Sequence, residues 1–148
     1  MKPVCLVIGA GAGIGGNVGK LFAANGYHTV LCRRSDEPGL KKLINDIEIA
    51  GNSASGFLMN AIEEEAIESR IAAIEADIGP IEVVVYNLGA QIGDRSLADT
   101  SYKAFEMGWK MATFGLFRAA SAICPAMVER GKGTFLVTSA TSDRKSVV

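Results

Sequence analysis

Residues 4–16 read VCLVIGAGAGIGG, and the fold is read outward from this stretch. Its first five residues are apolar, bounded by Pro3 and by glycines at 9, 11, 13, 15 and 16. Such a run suits a strand buried on both faces. Helical character begins at Ile14 and continues through NVGKLFAANG, where Gly26 is a stop signal. Between strand and helix, glycine removes the Cβ atoms where the backbone turns sharply. The first N–H groups of the helix lack intrahelical acceptors and suit a phosphate. The plainer alternative is a glycine-rich turn with no ligand. A P-loop is excluded, because Gly15 is followed by Gly16-Asn17 rather than by Lys and a hydroxyl residue.

The same alternation continues along the chain. HTVLC (28–32) is a second β-favouring run. The polar RRSDEPG follows as a loop, with Pro38 in the first turn of a helix to about Ala50. GFLM (56–59) is a weak third strand. A helix over Glu63–Ile78 places Ile67, Ile71, Ile74 and Ile78 on one face, and Gly79-Pro80 ends it. IEVVVYN is a fourth strand, residues 89–100 a polar loop, and TFLVT (134–138) a fifth strand. Between the last two lies a helix from about Tyr102 to Val128, bent near Gly108 or Gly115. Strands alternating with helices in this way predict an α/β fold with a parallel sheet covered on both faces. One domain over 1–142 accounts for the chain, and the tail 143–148 adds no further unit.

Composition narrows the function classes. The 148 residues carry 15 Lys and Arg against 16 Asp and Glu, a formal charge of -1. That balance argues against nucleic-acid binding or a polybasic membrane anchor. No stretch reaches ~18 uninterrupted apolar residues, so no membrane partner is expected. Cys5, Cys32 and Cys124 are widely spaced, as for free thiols in a reducing cytoplasm. His28 is the only histidine, which leaves almost no material for a metal site or a histidine triad. It is expected to be structural. Met107, Trp109 and Met111 are expected to pack a helix interface.

The end of the second strand bears on the ligand. A carboxylate there would accept from ribose hydroxyls and favour NAD. This chain has Arg33-Arg34, with Asp36 and Glu37 expected beyond reach. Arg33 offers a fork of donors to a ribose 2′-phosphate, and Arg34 suits stacking on adenine. NADP is therefore expected over NAD. The alternative is a solvated pair of loop charges.

These motifs together resemble the short-chain dehydrogenase/reductase family. IGAGAGIG is similar to its TGxxxGxG signature, with Gly9, Gly13 and Gly15 matching and Ile8 in place of Thr. YNLGA resembles NNAGA, with Asn87 and Gly89 matching. TFLVTSATS resembles the fifth strand and its serine-bearing end. The resemblance implies a Rossmann-like doubly wound parallel sheet, incomplete at its C-terminal side. It implies a cofactor site from Gly9, Gly13, Ile14, Gly15, Arg33, Arg34, Asn60, Ala61, Asn87 and Gly89. Asn60 takes the place of an Asp that bonds the adenine edge, with the Ala61 N–H beside it.

The resemblance also implies an oxidoreductase of a small carbonyl or alcohol, working through Ser, Tyr, Lys and Asn. Most of that set is missing. Tyr27, Tyr86 and Tyr102 are followed four residues later by Leu31, Ala90 and Glu106, so no Tyr-x-x-x-Lys exists. The Asn position falls on Ala112, and the serine position on Ala140. Ser139 and Ser142 are the nearby candidates, or else merely bond backbone and water. The expectation is a truncated, inactive chain whose DRKSVV tail departs from the family pattern. The alternative is a non-catalytic dinucleotide-binding or interaction module. The fifth strand would form an exposed sheet edge, and with the long helix it predicts self-association.

Overall fold

The computed structural model describes residues 1–89 and 96–139. Five strands form one sheet: β1 (Val4–Ile8), β2 (His28–Arg33), β3 (Ser53–Leu58), β4 (Ile81–Tyr86) and β5 (Thr134–Val137). All adjacent pairs are parallel, in the order β3-β2-β1-β4-β5. The helices are α1 (Ile14–Ala24), α2 (Glu37–Ile49), α3 (Ala66–Asp77), α4 (Tyr102–Trp109) and α5 (Gly115–Glu129). This is the Rossmann-like doubly wound arrangement. The chain runs outward from β1 to β3, then crosses back to β4. A crevice therefore opens beyond the C-terminal ends of β1 and β4.

The uniformly apolar β1 has a two-sided job. Val4, Leu6 and Ile8 meet Ile67, Ile71 and Ile74 of α3 and Ala119 and Ile123 of α5. Cys5 and Val7 face the opposite layer, with Ala23 of α1 and Leu40 and Ile47 of α2. The two-residue strand period sends neighbours to opposite cores. Burial pushes the Cys5 and Cys32 thiols up to about 12, so neither is a ready nucleophile.

Several boundaries differ from expectation. β3 starts at Ser53, because edge-strand residues Ser-Ala-Ser need not be apolar. α3 starts at Ala66, after Glu65 takes a left-handed conformation at φ +57. The long helix is interrupted by a π turn over Lys110–Phe114, between the two suspected glycines. There Gly115 N–H donates to Lys110 O, five residues back, instead of to Met111 O. The Met111 carbonyl instead accepts from the Tyr86 hydroxyl. A side chain on Gly115 would overlap that hydroxyl. Burial pushes Tyr86 up to about 12, keeping it a neutral donor.

By length and composition the helical run Tyr102–Glu129 would suffice to cross a bilayer, with a mean hydropathy of 1.4. Here its α5 portion packs against the sheet and α3, with Ala119, Ile123 and Met127 in the core. Among the described residues β5 is an edge, and Leu136 and Val137 are 43% and 49% exposed. His28 sits at the opposite end of the sheet from the crevice. It bonds Ser53 and Ser55 of β3, and burial lowers its pKa, as does Lys2.

Candidate dinucleotide site

The turn after β1 is drawn tight by its glycines. Gly9 has φ +96, and the amides of Gly9 and Ala10 both donate to Cys32 O at 2.9 Å. A Cβ on Gly9 would overlap the Asn87 carbonyl oxygen. One on Gly15 would overlap the Gly9 carbonyl and come within 2.9 Å of Asn87 Nδ2. These two glycines let β1, α1 and the end of β4 meet. Gly11 and Gly13 differ, since nothing lies within 4 Å of a Cβ on either.

Gly13 is the N-cap of α1 and supplies no side-chain cap. The N–H groups of Gly13, Ile14 and Gly15 have no acceptor among the described residues. They stand at the positive end of the α1 dipole, beside an open face. Ile14 points its side chain outward, so its contribution is the amide. An anionic diphosphate fits these residues, because donors, dipole and access coincide.

Asn87 ties three strands together. Its N–H donates to Ile8 O at 2.8 Å and its Nδ2 to Gly9 O at 3.0 Å. Its Oδ1 accepts from Thr138 Oγ1 at 2.7 Å, at the end of β5. Thr138 was not anticipated from sequence. Gly89, two residues on, is exposed.

A cleft of about 460 Å³ opens beside this turn. Gly9, Arg33, Arg34, Asn60 and Ala61 all line it, so five of the expected residues converge. Met107 and Met111 line it too, contrary to the expected helix-interface role. Trp109 instead stacks on Phe114 at 5.2 Å. Asn60 Nδ2 donates to Glu63 Oε1 at 3.2 Å, and its Oδ1 accepts from Ile62 N–H at a long 3.4 Å. That acceptor is only lightly engaged.

Two contacts made by residues beside the cleft were not foreseen. Arg118, on α5, donates to Ala61 O and Glu63 O at 2.9 Å each and grips the Glu68 carboxylate through Nε and Nη2. It fixes the loop that carries Asn60 and Ala61. The hydrogen bond from Arg118 holds Glu68 below the usual carboxylate range. The second is an ion pair between the end of β2 and the loop after it, where Arg33 Nη2 lies 3.2 Å from Asp36 Oδ2. A left-handed turn at Asp36, φ +65, folds the carboxylate back.

The catalytic candidates are sparse. Ser139 is exposed at the end of β5, while Ser142 and the tail lie outside the described residues. Ala112 falls within the π turn and offers no amide. Tyr86, the aromatic residue nearest the crevice in sequence, has its hydroxyl committed to Met111 O.

The model of the short chain dehydrogenase family matches residues 3–147. The chain belongs to the short-chain dehydrogenase family. A short chain dehydrogenase of Pseudocercospora fijiensis is 30% identical over 138 residues, covering 90% of this chain and 43% of its own length. Among solved structures, the citronellol catabolism dehydrogenase of Pseudomonas aeruginosa has 30% identity and a TM-score of 0.81, over 91% of this chain and 54% of that one. A gluconate 5-dehydrogenase of Burkholderia cenocepacia, solved with NADP and tartrate, has 25% identity and a TM-score of 0.79, over 91% and 52%. The chain spans about half the length of the relatives it matches.

Proposed function

We propose that this chain is the dinucleotide-binding portion of a short-chain dehydrogenase/reductase acting on a carbonyl or alcohol, that it prefers NADP(H), and that these 148 residues bind without turnover. The observation that carries the reading is the convergence of Arg33, Arg34, Asn60 and Ala61 on one cleft beside the open face of the glycine turn. A gluconate 5-dehydrogenase similar in sequence and fold was solved with NADP, which supports the preference.

When bound, NADP(H) supplies the hydride. The chain's own residues bind and orient it. The α1 amides and dipole hold the diphosphate, Arg33 meets the 2′-phosphate, and Asn60 with the Ala61 N–H faces the adenine edge. Asn87 keeps the crevice floor rigid. The proton donor is the missing element. Tyr86 is buried and occupied, these 148 residues contain no Tyr-x-x-x-Lys, and among the described residues no base is bonded to Ser139.

The test is a fluorescence titration with NADPH and NADH, run beside NADPH oxidation over a panel of carbonyls. NADPH should bind about tenfold or more tightly than NADH, as a charge-assisted contact implies, with no turnover. Tighter NADH binding would overturn the Arg33 assignment. Measurable turnover would overturn the binding-only reading.

A second reading, an interaction module, draws on a different surface. Phe105, Phe117 and Val128 are exposed along α4 and α5, and among the described residues β5 is an edge strand. We propose self-association through this side of the molecule. A monodisperse, stable monomer in sedimentation velocity would refute it.

A further inference from the structure

Arg33 stands between two clefts. One is the cleft it shares with Arg34, Asn60 and Ala61. The other, about 260 Å³, lies between α1 and α2, where Gly11, Lys20, Lys42, Asp36 and Asp46 share its wall. Each cation there has a carboxylate partner. Lys20 and Lys42 reach Asp46 at 2.9 and 3.1 Å, and Arg33 reaches Asp36 at 3.2 Å.

The Asp36 carboxylate is committed twice. Its Oδ1 accepts from Gly39 N–H at 3.0 Å in the first turn of α2, and its Oδ2 meets Arg33. A guanidinium and a helix N-terminal amide are the donors a phosphate oxygen seeks. One internal carboxylate already engages both. The pair with Arg33 is loosely held, since the Asp36 side chain is 56% exposed.

We infer that Asp36 competes with the dinucleotide's 2′-phosphate for Arg33, and so sets how strongly the site distinguishes phosphorylated from unphosphorylated cofactor. This rests on the NADP reading. A 2′-phosphate arriving at Arg33 displaces Asp36 Oδ2 and then remains beside a like charge. An unphosphorylated ribose does neither, so its binding is indifferent to Asp36. Lys20, Lys42 and Asp46 together carry one net positive charge, which draws the phosphate toward the same wall without removing the competitor. The alternative role, in which Asp36 orients Arg33 for the phosphate, gives the opposite sign on substitution.

The experiment titrates NADPH and NADH into the 148-residue chain and its Asp36→Asn, Asp36→Ser and Arg33→Ala variants, at low and high salt. Asn and Ser both keep an oxygen for the Gly39 amide, and Asn also tolerates the left-handed backbone. Asp36→Asn should tighten NADPH about 3- to 5-fold, the size of one exposed charge pair. NADH affinity should not move, and the gain should shrink as salt rises. Asp36→Ser should show the same gain. Unchanged or weaker NADPH binding in both variants overturns the inference alone, provided the parent prefers NADPH and Arg33→Ala abolishes that preference. A parent without the preference, or one whose preference survives Arg33→Ala, overturns the NADP reading and the inference with it.

Discussion

In the turn after β1, Gly9 and Gly15 face into the protein, while Gly11 and Gly13 face open space. The same residue type is used for opposite reasons within seven positions. The inward pair removes overlap with the Asn87 and Gly9 carbonyls, and is needed whether or not anything binds. The outward pair relieves no contact among the described residues. Its lack of side chains leaves room for something arriving from outside. The ligand argument therefore rests on Gly11, Gly13 and the free α1 amides, and the fold argument rests on Gly9 and Gly15.

Substitutions on either side of this division should separate. Gly15→Ala drives a methyl into the Gly9 carbonyl and should cost on the order of 4 kcal/mol, read as a lowered urea midpoint. A loss below about 1 kcal/mol would show that α1 can shift and that the inward pair is not a constraint.

Arg118→Ala tests the scaffold on the far side of the cleft and should cost about 2–3 kcal/mol. Part of that loss depends on pH. Glu68 has a depressed folded pKa, so its contribution is present above the ordinary Glu range and is lost as pH falls through the folded value. The gap between parent and variant should narrow in acid. It should not close, because the bonds to Ala61 O and Glu63 O do not titrate. A gap constant from pH 7 to pH 3 would remove Glu68 from the clamp.

Gly13→Ala should show the smallest structural effect, about 1 kcal/mol for alanine at an N-cap. NADPH affinity should nevertheless fall about tenfold, measured on protein that is still folded. Unaltered affinity would mean that the open face is only a turn.

The fold was legible in the sequence because β1 and β4 are buried on both faces and admit little but apolar residues. The edge strand β3 was read short for the converse reason. At the site, glycine spacing and the Arg33-Arg34 pair were visible as local patterns. Arg118 was not, because its partners Ala61 and Glu68 are brought to it only by tertiary folding. The Arg33–Asp36 pair was not visible either, because it depends on a left-handed backbone at Asp36 that no local pattern announces. Met107 and Met111 line the cleft, which a local helical pattern does not reveal.

That π turn also binds two distant positions into one choice. The Tyr86 hydroxyl fills the carbonyl that the turn leaves at Met111, and it fits only because residue 115 has no side chain. Phenylalanine at 86 would strand the carbonyl, and alanine at 115 would evict the hydroxyl. Any lineage that alters one of these residues must alter the other or straighten the helix. Across relatives, tyrosine at the first position should therefore travel with glycine at the second.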